Sequence, residues 1–251
     1  MNAWLFDLGN TRLKCAPLAR GRAGDVMAIA HEGARDLDVL DADALHARLA
    51  ALPSRIDVAF VASVAGERLR VALLDALTRR CVRIELARTL PELDGLRIAY
   101  ATPSRLGVDR FLALLGARRM HRGAVLVCGV GTAVTLDLVD ATGVHRGGRI
   151  APSPDLMRDA LHARAPHLPA RGGCWVDWAC DTDDALASGC LGAAAALVRE
   201  SHATARALLG GDVPLLLHGG GAAALRPALS DAMEAPTLVL DGLTAWACAH
   251  A

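Results

Sequence analysis

Apolar residues along this chain fall in short blocks separated by segments containing glycine and proline, and in longer stretches at helical spacing. The first block, Ala3-Trp4-Leu5-Phe6, predicts a buried strand over residues 3–8, ended by the turn signal Gly9-Asn10. Strands follow at 12–16 and 26–30, with 21–25 read as a turn. A helix is predicted around 43–52, then strand 57–63, helix 66–81 and strand 82–85. Helix 109–120 joins this half to the next. There the pattern predicts strands 124–128, 133–140 and 144–149, with a turn at 141–143, a helix from Pro154 and an alanine-rich helix over 183–209. Strand 213–217, a helix near 222–229, strand 237–240 and a closing helix complete the reading. Hairpins open each half and strand-helix alternation follows, which predicts an α/β protein.

The two halves repeat a pattern. Val125 to Asp137 runs apolar strand, Gly131-Thr132 turn, apolar strand, as Ala3 to Lys14 does around Gly9 to Thr11. Superposing Gly9 on Gly131 pairs Asp7 with Gly129, Leu8 with Val130 and Phe6 with Cys128. Two such hairpins predict a duplicated domain with a nucleotide between its halves.

The first hairpin carries the chemistry. It sets a carboxylate (Asp7), a tight turn, a hydroxyl (Thr11) and a cation (Lys14) within one short segment. Turn N–H groups can line up on an anion, and Lys14 can reach back as a point charge. Asp7 is suited to Mg²⁺, which keeps much of its hydration and takes few carboxylates. The plainer reading is a hairpin whose Asp7 caps its own turn. Gly107-Val108-Asp109-Arg110 also has two readings. It is a helix N-terminus, where Asp is favoured anyway, or an acid beside a guanidinium that can fork onto a carboxylate. Tyr100 reads equally as packing, and Thr182 before Asp183-Asp184 as an N-cap.

Charge narrows the partners. Lys plus Arg, 27, balances Asp plus Glu, 27, and aromatics are only 3%, so nucleic acid and anionic membranes are not expected partners. Although 53% of residues are apolar, no uninterrupted run suffices to span a bilayer and the chain enters a strand directly, so a cytoplasmic protein is expected. The seven cysteines are scattered without C-x-x-C, which argues against a disulfide framework or zinc site. No histidines show metal spacing. His218, before the second glycine turn, is a candidate contact to adenine.

Taken in order, these residues resemble the type III pantothenate kinases, of the superfamily of actin, hexokinase and the Hsp70 ATPase domain. The resemblance rests on Asp7-Leu8-Gly9-Asn10-Thr11, on Tyr100 followed by Gly107 to Arg110, and on Gly131-Thr132-Ala133 with Thr135 and Asp137. Gly147-Gly148-Arg149-Ile150, Thr182 to Gly189 and Gly219-Gly220 complete it. It implies a duplicated ribonuclease H-like, actin-like ATPase fold: two mixed-sheet halves, 1–118 and 119–251, with a nucleotide cleft between them. It further implies ATP-dependent phosphorylation of pantothenate, the first step of coenzyme A synthesis, by a homodimer using Mg²⁺. Asp7, Leu8, Gly9, Asn10, Thr11, Arg12, Leu13 and Lys14 match the first ATP phosphate loop, with Asp7 near the metal. Thr132, Gly219 and Gly220 match further ATP contacts. Asp109 matches the general base, while Tyr100, Gly107, Val108, Asp109, Arg110 and Thr182 match the pantothenate pocket. The apolar surface of helix 109–120, with Phe111, Leu112, Leu114 and Leu115, is the face expected to meet a partner subunit.

Three departures stand out. Relatives carry Asp where this chain has Gly129, and that Asp helps bind K⁺ or NH₄⁺, so little stimulation by either ion is expected here. Asp137 is the other carboxylate on hand. Pro152-Ser153-Pro154 replaces a Pro-Gly turn, which predicts a different loop shape. His218-Gly219-Gly220-Gly221 replaces Thr-Gly-Gly-Asp. The competing functional reading is a non-catalytic accessory protein of the Bvg accessory factor type. Retention of Asp7 and Asp109 argues for an enzyme.

Overall fold

The computed structural model describes residues 1–30, 45 and 47–250. It divides into two compact units, Met1–Met120 with Thr237–Ala251, and His121–Pro236.

In the first unit, β1 (Ala3–Leu8) pairs antiparallel with β2 (Arg12–Ala19) and parallel with β5 (Ile56–Ser63). β3 (Arg22–Ala23) and β4 (Met27–Ala30) extend the β2 side, and β6 (Cys81–Leu86) lies parallel to β5. A small hairpin, β7 (Glu92–Leu93) and β8 (Leu96–Arg97), stands apart. Side chains alternate across β1. Trp4, Phe6 and Leu8 enter a core with Leu69, Leu73 and Leu77 of helix α1 (Glu67–Thr78). Leu45, Leu49 and Leu52 join that core; the helix expected over 43–52 lies in part outside the described residues. Leu5 and Phe60 are fully buried toward the other face, where α2 (Val108–Met120) and the C-terminal helix (Leu238–His250) pack and Phe60 meets Trp246 edge-on at 6.4 Å between centroids.

That C-terminal helix departs from the expected halves and from the expected strand over 237–240. Leu238-Val239-Leu240 is a short apolar run that suits strand or helix. The run continues through Leu243 and Trp246 at helical spacing, and the helix begins at Leu238. The segment packs on the first unit rather than the second. Its partner is the α2 face expected to meet another subunit: Phe111, Leu112, Leu114 and Leu115 are all buried within the chain. The two helices approach closely because both are notched. A Cβ on Gly242 would strike the carbonyl of Leu112, and one on Gly116 the carbonyl of Leu238. Gly242→Ala gains up to about 1 kcal/mol of helix propensity but forces backbone apart, at a cost of about 1–3 kcal/mol or more. The clash should win, and a lower urea midpoint is expected; an unchanged midpoint would show that the helices can separate freely.

The second unit repeats the first sheet. β9 (Val125–Val130) pairs antiparallel with β10 (Ala133–Val139), which pairs with β11 (His145–Pro152), and β9 runs parallel to β12 (Leu215–His218). β13 (Ala232–Glu234), beside β12, is the edge strand in place of the one expected at 237–240. Helices α3 (Pro154–Arg164), α4 (Thr182–Leu209) and the short α5 (Ala222–Leu225) follow the strands, and the C-terminal helix is α6. Apolar positions of α4, among them Ala194, Ala195 and Val198, close the core over Leu126, Cys128, Leu136 and Leu217. Among the described residues no helix is long and apolar enough to cross a membrane.

Candidate active site

Register makes the two hairpins equivalent. Asp7 on β1 faces Lys14 across β2 and Ala62 across β5; Gly129 on β9 faces Thr135 across β10 and His218 across β12. The Gly9 N–H donates to the Arg12 carbonyl at 3.0 Å, and the Gly131 N–H to that of Ala133 at 2.9 Å. Leu8 and Val130 accept in turn from the residues beyond the neighbouring parallel strands, Val64 N–H at 3.2 Å and Gly221 N–H at 2.9 Å. The second turn is one residue tighter and leaves Thr132 exposed at its tip. In the first, Asn10, Thr11 and Arg12 are exposed, Gly9 and Lys14 half-buried, and Leu8 and Leu13 are core.

Asp7 shares the β1 face of Leu5, the face toward α2. It keeps some exposed surface, but protein surrounds the carboxyl closely. Burial pushes its pKa from 3.8 up to about 7; Lys14 opposes that rise and the Asp109 carboxylate adds to it. One cation and two carboxylates therefore act on one another at the end of β1 and the start of α2.

Asp109 is held by local geometry. Its Oδ1 accepts the Arg110 N–H at 2.8 Å, and the carboxyl lies over Gly107, where a Cβ would come within 2.7 Å of Oδ1. Gly107 is thus the seat of the carboxylate, a role that sequence alone leaves unseen. In Gly107→Ala the methyl must displace that oxygen. A shift of this kind is expected to cost about 10- to 100-fold in kcat with the fold kept; wild-type kcat in a normally folded variant would show that this orientation is not needed. Arg110 is buried, and its Nη1 reaches the hydroxyl of half-buried Tyr100 at 3.4 Å. Val108 begins α2 and is half-buried.

In the second unit Thr182 is exposed and is the first residue of α4 rather than its cap. Asp181 caps the helix by accepting the Asp184 N–H at 2.9 Å, its charged side chain sitting one residue earlier in extended backbone. Ser153 caps α3, accepting the Leu156 N–H at 3.2 Å with φ of −69°, so the Pro152-Ser153-Pro154 loop needs no left-handed residue. Gly219 does: its φ is +97°, and a Cβ there would strike the Val130 carbonyl. Gly220 follows, exposed.

Gly129 is the largest surprise of the site. A Cβ there would stand 2.8 Å from Thr135 Oγ1 and 2.9 Å from His218 Nε2, inside any real contact distance. The space beside Gly129 belongs to a hydroxyl and an imidazole. Asp137 does not replace the missing carboxylate, since its Oδ1 engages the buried His145 at 3.0 Å. The signal that would have found His218 is the pairing of two departures, at 129 and 218, on adjacent strands.

Comparison with known proteins bears on the chain as a whole. A type III pantothenate kinase of Xanthomonas euvesicatoria pv. vesicatoria (strain 85-10) is 55% identical over 251 residues, covering 100% of this chain and 99% of the relative. Two solved structures share the fold at low identity. A Campylobacter jejuni protein described as a Baf family transcriptional activator has a TM-score of 0.61 at 16% identity, covering 99% of this chain and 100% of its own. A Sinorhizobium meliloti protein described as a 2-dehydro-3-deoxygalactonokinase has a TM-score of 0.61 at 18% identity, covering 99% of both. These two speak for the actin-like kinase fold alone. The family model of the type III pantothenate kinases matches residues 4–204, and the chain belongs to that family.

Proposed function

We propose that this protein transfers the γ-phosphoryl group of ATP to the 4′-hydroxyl of pantothenate, the first step of coenzyme A synthesis, in the cytoplasm. The observation that carries the reading is 55% identity over the whole chain to a relative of that name, joined to the retained Asp7 and Asp109. The alcohol oxygen bonds to the γ-phosphorus, the bond to the bridging oxygen breaks, ADP leaves, and the hydroxyl proton passes to Asp109. Arg110, with Tyr100, Gly107 and Val108, is assigned to the pantothenate, its guanidinium suited to a bidentate hold on the carboxylate. Thr182 is assigned a further substrate contact. The hairpin 7–14 is assigned to ATP by the family pattern, as are Thr132 and Gly219-Gly220.

Asp7 suits Mg²⁺. An enclosed carboxyl with a raised pKa beside a second carboxylate is favoured in its ionised form by a divalent counter-charge, and Mg²⁺ needs few protein ligands. When bound, the ion supplies neutralisation of phosphate charge.

We also propose a homodimer, on a surface other than the α2 face. Leu156 and Leu161 on α3 are 41% and 43% exposed beside an apolar cavity of about 650 Å³ shared with Leu186 of α4. Exposed apolar surface of this kind marks partner sites. Light scattering is expected to give twice the chain mass, falling toward one chain mass in Leu156→Glu; a wild-type monomer with full activity would remove the dimer. The functional reading is tested by ADP release with Mg²⁺-ATP. It should depend on pantothenate and be unaffected by sugars; release driven by a sugar instead would place the chain among other kinases of the fold.

A further inference from the structure

We infer that the monovalent-cation position of this family is closed in this chain, with Gly129 and His218 a matched pair and His218 a positioning residue for the glycine turn that follows it. The inference rests on the kinase reading above.

The fit fails on packing and on donor chemistry. Gly129 is buried in the middle of its sheet, between β10 and β12. Any side chain at 129 must displace Thr135 Oγ1 or the His218 ring, because both already lie within 3.0 Å of the place its Cβ would take. A K⁺ or NH₄⁺ ion needs several oxygen ligands, from backbone carbonyls or from side chains. Glycine brings no side-chain oxygen, an imidazole ring is a poor substitute for a carboxylate, and the Asp137 Oδ1 is engaged by His145. The exchange is reciprocal. A carboxylate at 129 excludes the ring of His218, and the ring of His218 excludes a side chain at 129.

The imidazole has a further consequence. His218 ends β12, and the next residue, Gly219, turns with positive φ hard against the backbone of Val130, whose carbonyl also holds Gly221 N–H at 2.9 Å. A ring seated on Gly129 fixes the strand end from which this turn departs. In the family pattern a bound ion and its carboxylate stand at that place; here side-chain packing holds it.

Salt dependence and a mutant pair test this together. Initial rates in choline buffer are expected to match those with added KCl or NH₄Cl at equal ionic strength, and a several-fold rise specific to K⁺ would overturn the closed site. Absence of any turnover in every salt would instead count against the kinase reading, leaving the packing to be judged by stability. Gly129→Asp is expected to lower the thermal midpoint, and Gly129→Asp with His218→Thr to recover most of the loss and gain a midpoint rise with KCl over choline chloride. A double variant no more stable than Gly129→Asp would overturn the matched pair, as would a Gly129→Asp protein of wild-type stability. For the positioning role, His218→Ala is expected to raise the KM for ATP several-fold with kcat within about two-fold. An unchanged KM in the folded variant would make His218 packing alone.

Discussion

Asp109→Asn is expected to lower kcat by a factor on the order of 10²–10⁴ while leaving ATP affinity nearly intact, the usual scale for loss of a general base. The amide keeps the shape of the carboxyl and its seat over Gly107, and its oxygen can still accept the Arg110 N–H. What it lacks is the capacity to take the hydroxyl proton. Geometry being preserved, the loss belongs to proton transfer, and equilibrium binding of ATP separates this from a folding defect. Near-normal turnover in the variant would remove Asp109 from the mechanism.

Asp7→Asn is expected to act in opposite directions on catalysis and on stability. Removing the carboxylate should raise the Mg²⁺ requirement and cost several kcal/mol of transition-state stabilisation, on the order of 10²-fold or more in kcat/KM, with partial recovery at high Mg²⁺. Stability without ligands should move the other way. The folded carboxyl titrates near 7 against an ordinary 3.8, so between those values the folded protein holds a proton that the unfolded chain releases. Stability of the wild type therefore falls as pH rises through that window. Asparagine has no proton to lose. The variant should match the wild type near about pH 4 and exceed it at about pH 8 in urea titrations. An equal pH profile for the two proteins would mean that Asp7 is open to solvent and acts only as a turn cap.

The first hairpin was legible in the sequence because all its signals are local: an apolar strand, a Gly-Asn turn and a returning strand, with Asp7 opposite Lys14 as a consequence of the register. The match between Asp7 and Gly129 was legible for the same reason, and the parallel neighbours β5 and β12 make it structural. Long-range facts were not. The run at Leu238 fits a strand over three residues and a helix over thirteen, and only its partner α2 decides between them. The apolar face of α2 looked available to a subunit because nothing near it in sequence shows that α6 returns to cover it. Thr182 before Asp183-Asp184 suits a cap, but Asp181 beside it fills that role, a one-residue shift typical of helix ends. Gly107 and Gly129 both owe their identity to a side chain that needs the space, Asp109 at short range and His218 across a sheet. The first lies two residues from its partner but needs the side-chain geometry to be seen; the second requires knowing that β9 and β12 are neighbours.

Product identity tests the central claim most directly. Purified protein incubated with Mg²⁺, pantothenate and ATP labelled in its γ-phosphoryl group should yield ADP and labelled 4′-phosphopantothenate in equal amounts, identified by mass spectrometry, and Asp109→Asn should yield neither at a comparable rate. Label recovered only as inorganic phosphate, or no consumption of ATP by well-folded protein, would contradict it.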